Sequence, residues 1–219
     1  MTNTTSQPRS GIIQRLSSYG FEVSLEEVFT ATVAGAELAR AMGCRRVAPF
    51  IPEPVLEDLG GLELVGGTSG RGDDQGADAV LLGDLGERWS YGLMQEAFTY
   101  LMGGADLIAL SRDRYWLKEN RLALDAGAFV AGLEFASGNP ATVAGKPSPA
   151  FYGAALGSLG VVPSRDSVMI GDDLWSDVQG AQQAGLQGWL VRTGKYRASA
   201  LQESGIQPDR ILDSIAALD

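Results

Sequence analysis

The chain has 219 residues, 45% of them hydrophobic and 20% charged, with a net charge of −10. This is the composition of a globular protein long enough to bury a sizeable core, and its sign argues against nucleic acid or an anionic membrane as a partner. Histidine is absent and cysteine occurs once, which removes Ser-His-Asp and Cys-His catalysis, histidine-held zinc and any internal disulfide.

Any catalysis must therefore run on Asp, Glu, Lys, Thr, Tyr or a metal. No apolar run approaches the roughly 20 residues of a membrane span. A polar stretch follows Met1 and shows no signal peptide, so the expectation is a cytoplasmic protein in a reducing compartment. Cys44, between Gly43 and Arg45-Arg46, reads as a small filler rather than a reactive thiol.

Along the chain, Ser10 to Tyr19 has the spacing of an amphipathic helix stopped by Gly20. Leu25 to Met42 carries a second helical pattern, with Ser24 and Glu27 as a capping box. Arg46 to Ile51 reads as a strand ended by Pro52 and Pro54, and Glu57 to Gly76 as a glycine-rich loop. Ala79 to Leu82 and Leu107 to Leu110 read as strands around a helix over Tyr91 to Leu101, a β-α-β unit that favours a parallel pair. Ala128 to Ala136 and Ala150 to Leu159 read as helices, and Ala141 to Ala144 as the strand between them. A last strand at Gly188 to Val191 precedes a helix over Ile211 to Leu218. Regular alternation of strand and helix predicts an α/β fold, a Rossmann-like doubly wound parallel sheet.

One stretch organises the chain, Ser167-Val168-Met169-Ile170-Gly171-Asp172-Asp173-Leu174-Trp175-Ser176-Asp177. Its apolar run is a short buried strand, and a helical pattern from Asp177 to Ala184 stops at Gly185. Two adjacent acids thus sit at the carboxyl end of a strand, where open α/β sheets bind ligands. Gathered carboxylates suit a hard cation such as Mg²⁺; a helix cap by Asp173 or Asp177 explains the same residues. Gly145-Lys146-Pro147 opens another helix after a strand, and its ammonium could neutralise a phosphate or pair with Asp173. Alone it reads as a solvated lysine in a turn. Thr2 and Asn3 could offer a hydroxyl and an N–H to an anion, although a frayed terminus explains them as well. Arg192, Lys195 and Arg197 form a small basic cluster beside a strand end that could attract an anion, although a solvated loop explains it as well. Trp89, Tyr115 and Trp116 fit either substrate contact or core packing.

Taken in order, Thr2-Asn3-Thr4-Thr5, Gly145-Lys146-Pro147-Ser148-Pro149 and Gly171-Asp172-Asp173 with Asp177 resemble the second, third and fourth motifs of the haloacid dehalogenase-like phosphatase superfamily. Arg192-Thr193-Gly194-Lys195-Tyr196-Arg197 adds to the likeness, which covers essentially the whole chain and is similar to the subgroup with an inserted α/β cap. The resemblance implies a core over residues 1–28 and 124–219 with a cap over about 29–123. It implies a small phosphorylated substrate, an aspartyl-phosphate intermediate and a Mg²⁺ cofactor, with Thr2, Asn3 and Lys146 binding phosphate. Lys146 and Asp173 are the implied catalytic residues, and Asp172 and Asp177 the implied metal site. It further implies a homodimer, with no nucleic-acid or membrane partner.

The first motif of that superfamily, a strand ending in the nucleophilic aspartate and an acid two residues later, has no counterpart before Thr2. The expectation is a chain inactive as printed, through a start codon assigned too late; a truncated, non-catalytic phospholigand-binding or scaffold relative is the alternative. A phospho-receiver domain shares the acids, threonine and lysine but orders them in reverse.

Overall fold

A computed structural model describes residues 1–72, 76–118 and 121–218, without the side chains of Leu117 and Lys118. The three positions 73–75 of the expected glycine-rich loop lie outside the described residues. By their internal contacts the residues form two compact units, Met1–Gly145 and Lys146–Asp219.

The first unit opens with helix α1 (Arg9–Ser18), followed by a single 3-10 turn at Leu25–Glu27 and helix α2 (Ala31–Ala41). The sequence predicts one helix from Leu25 to Met42, and the structure corrects this. Glu27 does accept from the Ser24 N–H at 2.8 Å, as a capping box requires. The backbone then turns extended, because Thr30 pairs in parallel with Thr2 and restarts the helix by accepting from the Val33 N–H at 3.3 Å.

Strands β1 (Arg46–Phe50), β2 (Glu63–Leu64), β3 (Ala79–Leu82), β4 (Asp106–Ala109) and β7 (Thr142–Val143) form a parallel sheet in the order β2-β1-β3-β4-β7. Between β4 and β7 come an antiparallel hairpin, β5 (Tyr115–Lys118) with β6 (Arg121–Leu124), and helix α4 (Ala126–Ser137); helix α3 (Tyr91–Met102) precedes β4. β3 pairs with β4 across α3, as the β-α-β pattern predicts. β2 and the hairpin were not legible as strands.

Successive strand residues face opposite sides. Ala48, Phe50, Val80, Leu82, Leu107 and Ala109 pack with Ala97, Tyr100 and Leu101 of α3 and with Val130 and Leu133 of α4. On the opposite face, a Cβ built on Gly35 of α2 would strike Leu110 and approach Leu81 at 3.2 Å. Helices thus cover both faces, which is why β3 reads as unbroken Ala-Val-Leu-Leu. Each fully buried Val or Leu there contributes about 1.5–3 kcal/mol.

The second unit holds α5 (Pro149–Ser158), β8 (Val168–Gly171), a π-helical segment at Leu174–Gln179, α6 (Gly180–Gln183), β9 (Gln187–Val191), α7 (Ala198–Ser204) and β10 (Arg210–Leu212). Its sheet is parallel in the order β10-β9-β8. The predicted helix over Ile211 to Leu218 is corrected here. Arg210–Leu212 pairs with Trp189–Val191 of β9, and only Ile215–Ala217 turns, as a 3-10 segment. Among the described residues no helix is long and apolar enough to cross a membrane.

Candidate functional site

In the first unit the amino-terminal residues are held in place rather than frayed. Thr2 donates its N–H to the Phe29 carbonyl at 3.0 Å, and its own carbonyl accepts from the Ala31 N–H at 3.0 Å. The Thr2 hydroxyl lies 2.9 Å from that of Thr4 and accepts from the Thr4 N–H at 3.2 Å, a local turn that fixes its direction. Thr5 is buried and accepts from the Asp84 N–H at 3.0 Å. Asn3 packs on Gly145: a Cβ there would stand 2.9 Å from Asn3 Oδ1 and would overlap the Leu110 carbonyl. Any side chain at 145 would displace Asn3 or the backbone, so glycine is required by space.

In the second unit the acids gather where β8 ends. Asp173 caps the following helical segment, its Oδ1 accepting from the N–H groups of Trp175 at 3.1 Å and Ser176 at 3.0 Å. Its Oδ2 accepts from Lys195 Nζ at 3.0 Å. Burial alone would raise the Asp173 carboxyl, but the Ser176 N–H and the Lys195 ammonium outweigh it and hold the group below the ordinary carboxylate value. It is therefore ionised at neutral pH. The segment opens with a bond of π type, Val178 N–H to the Asp173 carbonyl at 3.3 Å, a local widening common at functional sites.

That widened turn carries Asp177 back beneath β8. Asp177 is 4% exposed; its Oδ1 accepts from Lys146 Nζ at 2.5 Å and its Oδ2 from the Asp173 N–H at 3.1 Å. A Cβ on Gly171 would fall on the same carboxylate. Lys146, expected to reach phosphate or Asp173, thus makes its ion pair with Asp177, at side-chain exposures of 10% and 5%. A buried charge is tolerable only when paired in this way. Tyr152 donates to the Ser176 carbonyl from below. Burial first, then the charges of Asp177 and Asp173, push its phenol well above the usual value, so it stays a neutral donor.

Asp172 is different. Its Oδ2 accepts from the Lys195 N–H at 2.6 Å, and among the described residues its Oδ1 is engaged by no hydrogen bond. A hard carboxylate oxygen in that position suits Mg²⁺. Both Asp177 oxygens are already engaged, so the fit to a metal rests on Asp172. Among the described residues no group of three or more Asp, Glu, Cys or His side chains is arranged to hold a metal ion.

The structure thus brings Lys146, Asp172, Asp173 and Asp177 together within the second unit, and holds Thr2 and Asn3 in the first. Sequence reasoning counted Gly194 and Lys195 in the stretch Arg192–Arg197 that adds to the family likeness, and Lys195 in a basic loop, but placed neither against Asp172 or Asp173. Their signal is the parallel register of β8 and β9, with Gly171 opposite Leu190, which carries the residues after Val191 past Asp172. Trp89 stacks between Phe50 at 6.0 Å and Phe129 at 4.6 Å, the packing alternative. Tyr115 and Trp116 lie on the hairpin, 55% and 42% exposed.

Comparison with known proteins adds the following. A family model described as HAD-hydrolase-like matches residues 143–218. Haloacid dehalogenase-like hydrolase domain-containing protein 2 of Homo sapiens is 37% identical over 208 residues, covering 95% of this chain and 75% of that protein. Phospholysine phosphohistidine inorganic pyrophosphate phosphatase of Homo sapiens is 34% identical over 217 residues, covering 98% and 76%. Among solved structures, p-nitrophenyl phosphatase from Archaeoglobus fulgidus matches with a TM-score of 0.85 at 29% identity, covering 97% of this chain and 81% of that one.

Proposed function

The chain belongs to the haloacid dehalogenase-like phosphatases, and from that premise we propose that it removes phosphate from a small phosphorylated molecule in a Mg²⁺-dependent, two-step displacement. In the first step an aspartate oxygen attacks phosphorus, the bond to the leaving oxygen breaks, and that oxygen departs with a proton from a neighbouring acid. In the second, water attacks the aspartyl-phosphate, restores the carboxylate and releases inorganic phosphate. The nucleophilic aspartate and its acid have no counterpart among these 219 residues. Turnover is proposed for a chain that carries them, and the 219 residues alone are proposed to bind phosphate and Mg²⁺ without turnover.

In this reading Thr2 and Asn3 hold phosphoryl oxygens through the hydroxyl and an N–H. Lys146 offsets negative charge on phosphate and nucleophile. Its pairing with Asp177 aims the ammonium, so Asp177 acts as a positioning acid as well as a candidate near the metal. Asp173 fixes the helix start and orients Lys195. Asp172 is the residue fitted to ligate Mg²⁺. The ion, when bound, supplies positive charge that screens the repulsion between an anionic nucleophile and an anionic phosphate. A cap over about residues 29–123 excludes water and selects the substrate. Cytoplasmic residence and a homodimer belong to the same proposal.

The observation that carries this reading is the buried Lys146–Asp177 pair within one unit with Asp172, which follows β8 and whose Oδ1 has no hydrogen bond among the described residues. The test is hydrolysis of a generic phosphate monoester, with and without Mg²⁺, by a chain extended upstream to include the aspartate. Turnover that requires Mg²⁺ and falls at least a hundredfold in Asp172→Asn supports it; no turnover under either condition overturns it.

A further inference from the structure

The β9–α7 loop is built around Asp172. Arg197 Nη1 donates to the carbonyls of Gly194 at 3.2 Å and Tyr196 at 2.7 Å, and the Tyr196 N–H donates to the Thr193 carbonyl at 3.0 Å. The Tyr196 ring packs against Leu174, Val178 and Leu190. The loop is therefore anchored from within and from below. At its tip Gly194 takes φ +55, and a Cβ there would clash with Asp172 Oδ2. The next residue, Lys195, gives its N–H to that same oxygen at 2.6 Å and its ammonium to Asp173 at 3.0 Å.

We infer that Gly194 and Lys195 are positioning residues for Asp172: the glycine leaves room for the carboxylate, and the Lys195 N–H pins one oxygen so that the other is presented to a divalent cation. A carboxylate on a free χ1–χ2 rotor loses rotamer freedom on binding a metal. One already held by a rigid backbone donor loses less, and outer partners of this kind change metal affinity by about 10–100-fold. The backbone amide does the holding, so the identity of side chain 195 matters less than the absence of a side chain at 194. The inference rests on the reading of Asp172 as the metal-binding acid.

The test is calorimetric titration of Mg²⁺ and Mn²⁺ into the 219-residue chain and into the upstream-extended chain, with thermal unfolding alongside. Gly194→Ala is expected to weaken the cation by about tenfold or more while Tm moves little. Lys195→Ala, which keeps the amide, is expected to weaken it less than about threefold. Amide hydrogen exchange gives a readout that does not depend on how Gly194→Ala folds: the Lys195 N–H exchanges slowly in the wild type and at least tenfold faster in Asp172→Ala. Affinity retained in Gly194→Ala, equal losses in the two loop variants, or a Lys195 amide indifferent to Asp172→Ala overturns the loop's role and leaves the metal reading standing. Absence of any cation binding by both wild-type chains overturns the metal reading itself.

Discussion

The two parallel sheets are held by different forces. In the five-stranded sheet, β1, β3 and β4 are buried on both faces, and Val80, Leu81, Leu82 and Ile108 have no exposure at all. Register there follows from apolar side chains that have nowhere else to go. The three-stranded sheet is shallower: Val168 is 37% exposed and Ile211 likewise. What organises its carboxyl end is charge and hydrogen bonding, with Lys146, Asp172, Asp173, Asp177 and Lys195 joined in one network. Packing tolerates approximate chemistry and demands volume; the network tolerates spare volume and demands each partner.

The sharpest way to break that contrast is to remove one member of the buried pair. Asp177→Ala leaves the Lys146 ammonium without its partner and the Asp173 N–H without its acceptor, which is expected to destabilise the fold by about 3–5 kcal/mol. Urea unfolding measures it. A Lys146→Met, Asp177→Leu double variant removes both charges and is expected to recover most of the loss, while phosphatase activity of the extended chain stays abolished. Recovery of activity in the double variant would show that the pair serves stability alone.

A cut of similar chemistry in the five-stranded sheet should behave otherwise. Leu81→Ala empties a site with no exposure and is expected to cost about 2–5 kcal/mol in urea unfolding. Divalent-cation affinity should not change, because no polar partner is lost. A variant that lost cation binding in proportion to stability would erase the distinction between the two sheets.

The same contrast explains what was legible in the sequence. Strands buried on both faces announce themselves as apolar runs, so β1, β3 and β4 were placed within a residue or two of their ends, and the partly buried β9, with its Trp-Leu-Val run, was placed as closely. Asp172 and Asp173 were legible because they follow β8 directly, Lys146 because it stands in the turn between β7 and α5, and Asp177 because it comes four residues after Asp173. Elements fixed by a distant partner were not. Val28, Phe29 and Thr30 continue a helical pattern, yet pairing of Thr30 with Thr2 draws them extended. Ile211 and Leu212 look like the start of an amphipathic helix, yet β9 offers an open edge that they fill. Lys195 lies 22 residues after Asp173, a separation closed only by the β8–β9 register.

The smallest expected effect lies at the opposite end of the three-stranded sheet. Asp209 accepts from the Gly188 N–H at 2.9 Å and from Gln182 Nε2 at 3.1 Å, and pairs with Arg165. The Arg165 guanidinium first, then those two donors, lower its carboxyl from 3.8 to about 2. A depressed folded-state value means that the unfolded chain binds the proton first as pH falls. The contribution of Asp209 is therefore complete above about pH 4, declines as pH drops through the window between the two values, and is gone below about pH 2. Asp209→Asn is expected to be less stable than wild type at pH 6, with the gap in urea midpoint closing towards pH 2. A constant gap across that range would mean that Asp209 ties β9 to β10 through its shape and neutral hydrogen bonds, as the apolar contacts of the larger sheet do, and that charge organises only the end of β8.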